Sequence, residues 1–430
     1  MTTSFLSVGA PKRIGFISTR FHGTDGVTLE TWKWANIFKE MGHSCYWMAG
    51  LLDTPPEISH HAPLAFFNHP EVLAVQNKMF GVAFRTRALT NEVQSIKERL
   101  KDELYRFIEK FQIEVLVPEN ILAIPMHVPL GLAMTEVMAE TTLPVIAHHH
   151  DFSWERERFT LNGVNDYLQA AFPPALMFGV EHVVINSMAQ RELARRYGIP
   201  STIIPNIIDF ETPPVGIDDY NADLRSEIGL REDDFLILQP TRVIARKGIE
   251  HAIELVRRLN DPRAKLVISH PAGDEGSDYI QLLRERIDDA KLDVRFISDR
   301  VSETRGVNSL GQKTYTLFDI YPHADLVTYP SHYEGFGNAF LEAVYFGKPV
   351  VVNTYAVYAR DIDPLGFKAI EMTQLVSQSV VDQTKELLNN KLMQKEWAEI
   401  NYKLGVKYFS HSVARRKLAA RLANLFGETV

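Results

Sequence analysis

Along most of the chain, short apolar runs alternate with longer stretches in which apolar residues recur at helical spacing. Residues 27–41 show this helical spacing, and Gly42 follows them as a C-terminal cap. The same spacing over 249–259 and 279–288 predicts two further helices. Buried strands are predicted at residues 13–18, 115–118, 145–148, 183–186, 235–239, 265–269, 294–298, 325–329 and 350–353. The alternation predicts an α/β protein whose parallel sheets carry helices on both faces.

One stretch, residues 199–216, interrupts this alternation with four prolines. Such a stretch can continue neither a helix nor a central strand, so it marks a domain boundary. We therefore predict two doubly wound domains, an N-terminal one over residues 1–208 and a C-terminal one over 209–409. In open α/β sheets ligands bind beyond the carboxyl ends of the strands, so we expect a ligand-binding cleft where the two domains face each other.

Composition and charge exclude several classes of protein. The 430 residues include 46 basic and 54 acidic side chains, a formal charge of −8, which does not favour nucleic-acid binding. Cys45 is the only cysteine, which excludes an intrachain disulfide and a cysteine-clustered metal site. No apolar run reaches the ~18 residues of a membrane helix, and the N-terminus lacks the basic-then-apolar order of a signal peptide. We therefore predict a soluble, cytoplasmic protein.

The most informative segment begins where the predicted strand 325–329 ends. The loop Glu334-Gly335-Phe336-Gly337-Asn338 follows, and a helix is predicted over 339–346. A strand, a glycine-rich loop and a helix N-terminus together present backbone N–H groups to an anion. Glu334 and Glu342 would place carboxylates at two depths of one pocket. The alternative is an ordinary βα unit with two solvated glutamates.

Two other loops carry candidate binding residues. Arg242 and Lys247 follow the predicted strand 235–239, and two cations on one loop suit a diphosphate. The loop after the first strand ends at Gly26 and contains His22 and Asp25. These two side chains either touch a substrate or only complete the hydrogen bonds of a turn.

Three consecutive histidines, His148, His149 and His150, end another predicted strand. Alternate side chains of a strand point to opposite faces, so the three cannot all ligate one metal ion. We therefore predict no zinc site here.

The spacing Glu334-x7-Glu342 around Gly335-Phe336-Gly337 resembles the signature of the retaining nucleotide-sugar glycosyltransferases of family 4, which have the GT-B fold. The resemblance covers nearly the whole chain in order and is strongest over 242–352. It implies that Glu334 lies beside the donor sugar, that the amides from Gly335 to Asn338 hold the sugar hydroxyls, and that Glu342 binds the ribose. It also implies that the C-terminal helix, residues 410–430, packs back on the first domain.

The same resemblance assigns roles to the other loops. Arg242 and Lys247 would neutralise the leaving diphosphate, although Arg246 stands where the family often has an acidic residue, which leaves the local charge balance open. The loop at Gly26 would face the donor phosphate. The histidine expected near the donor sugar is His150 in preference to His148, as catalytic or else as a capping or core residue. The acceptor is expected to meet His22, Asp25, Asp151 and Arg156.

The sequence therefore predicts a retaining hexosyltransferase that forms an α-glycosidic bond. We expect mannose or glucose as the hexose and a small polar, anionic acceptor such as a sugar-glycerate, as in enzymes that make compatible solutes. We expect no cofactor beyond the nucleotide diphosphate sugar, no required metal, no nucleic-acid partner and no integral membrane segment, and leave a homodimer open. The alternatives are a GT-B nucleotide-sugar epimerase and a non-catalytic nucleotide-sugar-binding protein.

Overall fold

A computed structural model describes residues 10–23, 25–272 and 277–427 of the chain. The chain divides into two compact units, which we call unit 1 (Met1–Pro205 with Ser412–Val430) and unit 2 (Asn206–His411). The absence of a signal peptide was predicted largely from residues 1–9, which lie outside the described residues. Residues 428–430 of the predicted C-terminal helix lie outside them as well.

Unit 1 contains a seven-stranded sheet in the order β3-β2-β1-β4-β5-β6-β7, and all of its pairs are parallel. Its central strands are buried apolar runs, as strands covered on both faces require. The strands are β1 (Arg13–Ile17), β2 (Ser44–Ala49), β3 (Ser59–His61), β4 (Val115–Pro118), β5 (Val145–His149), β6 (Val180–Val184) and β7 (Thr202–Ile203).

Helices connect these strands and cover the sheet. The longest helix presents one apolar stripe to the core, formed by Val93, Leu100, Leu104 and Phe107. The helices are α1 (Gly26–Glu40), α2 (Pro70–Met79), α3 (Arg87–Phe111), α4 (Val128–Thr141), α5 (Asn165–Ala171) and α6 (Ser187–Tyr197).

Unit 2 contains a six-stranded parallel sheet in the order β10-β9-β8-β13-β14-β15 and a separate antiparallel pair, β11 with β12. The strands are β8 (Phe235–Gln239), β9 (Ala264–Ile268), β10 (Val294–Phe296), β11 (Gly306–Val307), β12 (Lys313–Thr314), β13 (Leu326–Tyr329), β14 (Val350–Asn353) and β15 (Ile370–Met372). The helices are α7 (Leu224–Glu227), α8 (Ile249–Leu259), α9 (Ser277–Asp289), α10 (Leu317–Ile320), α11 (Asn338–Tyr345), α12 (Gln378–Asn389) and α13 (Lys391–Phe409).

The last helix, α14 (His411–Phe426), packs on unit 1. Its apolar side chains, among them Leu418 and Leu422, are buried. Two of its cations bond to unit 1 as well: Lys417 Nζ donates to a backbone carbonyl at 2.6 Å, and Arg421 Nη1 lies 3.1 Å from Glu181. Helix α14 thus crosses back to the first half of the chain.

The division between the units falls after Pro205. Residues just beyond it are tied to unit 2, since Ile208 N donates to Phe409 O at 2.9 Å. The predicted fold class, two doubly wound parallel sheets, is confirmed. The bounds predicted for one strand, 183–186, are wrong. The strand is Val180–Val184, and Asn186 instead caps α6 by accepting from Ala189 N at 2.7 Å. Within the described residues, no helix is long and apolar enough to span a bilayer.

Candidate functional site

The sheet of unit 2 reverses its winding direction between β8 and β13, which are hydrogen-bonded neighbours. Ligands of open α/β sheets bind at such a point. The loops that leave these strands approach closely at Gly248, whose φ is +61°. A Cβ on Gly248 would lie 2.4 Å from the carbonyl oxygen of Pro330, so only glycine permits this approach. The loop residues predicted to bind the donor are therefore brought together.

At this junction, Glu334 lies between two cations of the other loop. Its carboxylate is paired with Lys247 Nζ on one oxygen and lies 3.1 Å from Arg246 Nη1 on the other. Glu334 and Lys247 are 8% and 9% exposed. The sequence left open how the charge of Arg246 is balanced, and in the structure Glu334 balances it in part. One carboxylate against two cations leaves a net positive charge beside the loop.

The protonation of this group follows from its neighbours. Burial alone would raise the pKa of Glu334, but the charges of Lys247 and Arg246 outweigh burial and hold that pKa below its ordinary value. Burial lowers the pKa of Lys247, and the charge of Glu334 opposes that shift. Glu334 is therefore a carboxylate at neutral pH.

Arg242 lies on the same loop as Lys247 and is exposed. Both cations act on His270, which follows the neighbouring strand β9. Burial, with the charges of Lys247 and Arg242, lowers the pKa of His270 to about 4. The neutral imidazole of His270 therefore lies near Arg242 and Lys247, the two side chains predicted to bind the diphosphate. His270 was not among the predicted site residues, although a polar segment after a buried strand was the available signal.

A tyrosine hydroxyl packs against the glycine-rich loop that follows β13 and hydrogen-bonds to its backbone. Gly337 has a φ of +138°, and a Cβ there would lie 2.2 Å from the Tyr355 hydroxyl. That hydroxyl donates to Phe336 O at 2.7 Å. Gly337 therefore lets the chain turn tightly into α11.

Two side chains of this loop are engaged within unit 2. Phe336 is 3% exposed, and its ring meets Phe409 edge-on at 5.4 Å, so only its backbone is available to a ligand. Asn338, the first residue of α11, accepts a hydrogen bond from Asn206 Nδ2 at 2.7 Å. The N-terminus of α11, the positive end of its dipole, thus lies at Asn338, which was predicted to bind the donor sugar.

Glu342 lies one turn into α11 and is oriented by a buried phenol. Tyr321 Oη donates to Glu342 Oε2 at 2.7 Å, and Tyr321 itself is fully buried and stacked on Phe346. A hydrogen bond to a carboxylate from a fixed donor limits its rotamers. Glu342 is thus a positioned carboxylate on the same helix whose N-terminus adjoins the glycine loop.

In unit 1, the loop after β1 is braced by its own polar groups. Asp25 caps α1 by accepting from Val27 N at 3.1 Å, and His22 is paired with Asp53. Gly26 is the first residue of α1. These contacts match the turn-forming alternative for His22 and Asp25, and substrate contact by either residue stays a prediction.

His150 and Asp151 leave β5 at the centre of the unit 1 sheet. Asn120, the second residue after β4, accepts from both of their backbone N–H groups, at 2.9 and 3.1 Å. The carboxylate of Asp151 accepts from Arg156 Nη2 at 2.7 Å. The structure therefore brings together these three predicted residues, and the Asn120 side chain fixes the backbone of His150 and Asp151.

Glu119, like His270, was not among the predicted site residues. It follows β4 directly, is fully buried, and accepts from His148 Nδ1 at 2.9 Å. Burial raises the pKa of Glu119 to about 7, lowers that of His148 to about 3, and lowers that of His150. His149 points to the opposite face and pairs with His182 at 2.9 Å, as the alternation of a strand predicts. A charged residue at the end of a buried strand was the signal for Glu119.

Comparison with known proteins agrees with this arrangement. The family model described as "Glycosyl transferases group 1" matches residues 221–404. Mannosylglucosylglycerate synthase of Petrotoga mobilis is 32% identical over 385 residues, covering 84% of this chain and 86% of that protein. The protein of the same name from Thermotoga maritima is 29% identical over 435 residues, covering 93% and 96%.

Solved structures share the fold at low identity. A glycosyltransferase from Rickettsia africae superposes with a TM-score of 0.67 at 14% identity, covering 97% of this chain and all of that one. HepE of Anabaena, crystallised with UDP-glucose, gives 0.64 at 13% identity, covering 96% and 100%. With a relative 32% identical across most of its length, this chain belongs to the group 1 glycosyl transferases and has their two-domain GT-B fold.

Proposed function

We propose that this protein is a retaining hexosyltransferase that moves a mannosyl group from a nucleotide diphosphate sugar to a glucosylglycerate-type acceptor. The observation that carries the proposal is the charge arrangement at the unit 2 junction. Arg242 and Lys247 lie on the loop after β8, and Glu334 lies on the loop after β13. Two relatives that bear the name mannosylglucosylglycerate synthase support the choice of hexose and acceptor.

The reaction breaks the bond between the anomeric carbon and the diphosphate oxygen and forms a bond from that carbon to an acceptor oxygen. Negative charge develops on the diphosphate, where Arg242 and Lys247 stabilise it. In the structure without a donor Lys247 is paired with Glu334. Donor binding would let the ammonium also meet a phosphate oxygen, and these side chains would supply the charge that a metal supplies elsewhere.

Positive charge develops on the anomeric carbon at the same time. Glu334 is a carboxylate held in place by two cations, which suits it to stabilise that charge. The acceptor hydroxyl would attack from the face that the diphosphate leaves, and its proton would pass to the departing oxygen. An α-linked donor would then give an α-linked product.

The remaining roles follow the positions of the predicted residues. Glu342, fixed by Tyr321, would accept hydrogen bonds from the ribose. Backbone amides from Gly335 to Asn338 would bind sugar hydroxyls. Within unit 1, His150 and the braced loop at Gly26 keep their predicted roles, and Arg156 would attract the acceptor carboxylate.

A matched pair of acceptors tests the substrate class. Purified protein is incubated with GDP-mannose, UDP-glucose and related donors, and with either glucosylglycerate or glucosylglycerol, which lacks the carboxylate. We expect a new trisaccharide-like product, detected by mass spectrometry, from glucosylglycerate and little from glucosylglycerol. Equal transfer to both acceptors would contradict an anionic acceptor, and no transfer to either would contradict the acceptor class.

Anomeric configuration and donor-only reactions test the reaction type. Proton NMR of the product should show an α linkage, and a β linkage would refute retention. Formation of an epimeric nucleotide sugar from donor alone would show an epimerase instead. Donor binding by calorimetry with neither transfer nor hydrolysis would indicate a binding protein. Activity should not depend on added Mg²⁺ if side-chain cations neutralise the diphosphate.

A further inference from the structure

The ends of β4 and β5 in unit 1 bring one carboxylate and two imidazoles to a common point. Glu119 and His148 are bridge partners on the two strands, and His150 follows His148 by two residues. His148 Nδ1 lies 2.9 Å and His150 Nε2 lies 3.5 Å from the same oxygen, Glu119 Oε2. One possible ligand atom from each residue lies within 4.8 Å of the other two. We call this group the Glu119 triad.

The spacing of these atoms suits a metal ion. Zinc binds imidazole nitrogens and carboxylate oxygens at 2.0–2.2 Å with tetrahedral geometry, which separates neighbouring ligand atoms by about 3.3 Å. The separations of His148 Nδ1 and His150 Nε2 from Glu119 Oε2, 2.9 and 3.5 Å, lie on either side of that value, and the three residues can each place a ligand atom within 4.8 Å of the others. A cation at the common point therefore needs only small side-chain movements.

The second observation is that the triad is buried and that two of its polar atoms lack hydrogen-bond partners. Glu119 and His148 are fully buried and His150 is 7% exposed. Among the residues that the structure describes, neither Glu119 Oε1 nor His150 Nε2 has a hydrogen-bond partner of good geometry. A buried polar atom without a partner is costly, and a metal ion at the common point would satisfy His150 Nε2.

The charge of Glu119 is the third observation. In the described part of the chain, the ion-pair contacts of Glu119 are to the two histidines alone. A second buried carboxylate, Glu30, acts electrostatically on Glu119 from α1 and is itself paired with Lys33 at 2.9 Å. Buried carboxylates are normally paired with cations or coordinate metals. The triad has the ligands for the second arrangement.

We propose that the Glu119 triad binds one divalent transition-metal ion of the zinc class within unit 1. Two imidazoles and one carboxylate favour zinc, cobalt or nickel over magnesium or calcium, which prefer oxygen ligands. Three protein ligands leave a fourth position, which is a property of metal sites that also bind water or substrate. The alternation of His148, His149 and His150 excluded a three-histidine site, but not a site completed by Glu119 from the neighbouring strand. The proposal goes beyond the transferase activity; it shares His150 with the proposed function, but its test measures metal content and not transfer.

Metal content is the direct test. The full-length protein is stripped with a chelator, incubated with ZnCl₂, desalted and analysed by inductively coupled plasma mass spectrometry. We expect one zinc per chain in the wild type, and loss of that zinc in Glu119→Gln and in His150→Gln. The matched control is His182→Gln, which removes a buried imidazole on the opposite face of the same sheet and should retain the metal.

A second histidine–carboxylate group, Glu250, His251 and His332 in unit 2, provides the competing outcome. Zinc lost in His332→Gln but kept in Glu119→Gln would overturn the proposal, as would a wild type that binds no zinc. If the triad variants do not fold, crystals of the wild type soaked in ZnCl₂ decide the question. The anomalous difference map should place a peak about 2.0–2.2 Å from His148 Nδ1 and Glu119 Oε2. A peak only elsewhere would refute the site.

Discussion

Replacing Lys247 by methionine removes the ammonium group and keeps most of the side-chain volume. In the wild type this ammonium is buried against Glu334, and Arg246 is the other cation on that carboxylate. The variant therefore leaves a buried carboxylate with one partner in place of two. It also removes a group that we propose meets the leaving diphosphate.

The substitution lowers both the stability of unit 2 and kcat, and each loss can be estimated separately. Removing one partner of a buried ion pair costs ~3–5 kcal/mol, and because Arg246 remains we expect about 3 kcal/mol. For a unit of this size, a loss of 1 kcal/mol lowers Tm by ~2–4 °C, so Tm of unit 2 should fall by roughly 6–12 °C. Removing one preorganised charge from the transition state lowers kcat by ~100-fold or more.

The double variant Lys247→Met with Glu334→Gln separates these effects. It removes both buried charges, and Arg246, a third of whose side chain is exposed, is then solvated. The free energy of unfolding should return to within ~1 kcal/mol of the wild type, because no buried charge lacks its partner. Transfer activity should stay at least ~100-fold low, because neither charge is available to the reaction.

Thermal unfolding by circular dichroism and initial rates of transfer measure the two quantities on the same samples. A folded Lys247→Met variant whose kcat stays within a few-fold of the wild type would contradict a role for this ammonium in the reaction. A double variant less stable than the single one would show that the loss of stability does not come from the unpaired carboxylate. Arg242→Ala, at an exposed position, is the companion variant and should lose ~100-fold in kcat with little change in Tm.

Three further predictions follow from the same structure. Gly337→Ala should lower the free energy of unfolding by roughly 1–3 kcal/mol, because its Cβ would lie 2.2 Å from the Tyr355 hydroxyl and its φ is +138°; denaturant titration measures this loss. Tyr321→Phe removes the donor that positions Glu342, so KM for the nucleotide sugar should rise about 10-fold with kcat nearly unchanged in steady-state assays. Burial lowers the pKa of His127 from 6.5 to about 4. Between these pH values His127 is protonated in the unfolded chain and neutral in the folded chain. The free energy of unfolding therefore falls as the pH drops from about 6.5 to 4, by about 3 kcal/mol at pH 4.

Each of these has a control. Gly366→Ala also has a positive φ, +92°, but no atom lies within 4 Å of its Cβ, so it should cost less than Gly337→Ala. A Tyr321→Phe variant with reduced kcat and unchanged KM would contradict a ground-state ribose contact. His127→Asn keeps a side-chain acceptor for the cap of α4 and removes the titrating ring. Its stability should therefore depend less on pH than that of the wild type, and equal pH dependence would exclude His127 as the cause.

Local patterns account for the fold class and for several elements. Apolar runs at Phe235–Gln239 and Val350–Asn353, with the amphipathic segment Ile249–Leu259 between them, form the predicted strands and helix at the predicted bounds. The strand Ser44–Ala49 was not predicted, because its aromatic and polar residues do not form a short aliphatic run. The strand Val180–Val184 was displaced in the prediction because Ile185 extends its apolar run into a helix cap.

The alternation of strands and helices and the local motifs can be read from the amino-acid sequence, since hydrophobic periodicity and glycine loops involve only a few neighbouring residues. Which of these motifs come into contact is a property of the folded chain. Lys247 and Glu334 are 87 residues apart in the chain, and Glu119 and His148 are 29 apart. Each pair is in contact because parallel strands place loops from distant parts of the chain at one edge of a sheet. That proximity depends on strand order, which no local spacing of residues encodes.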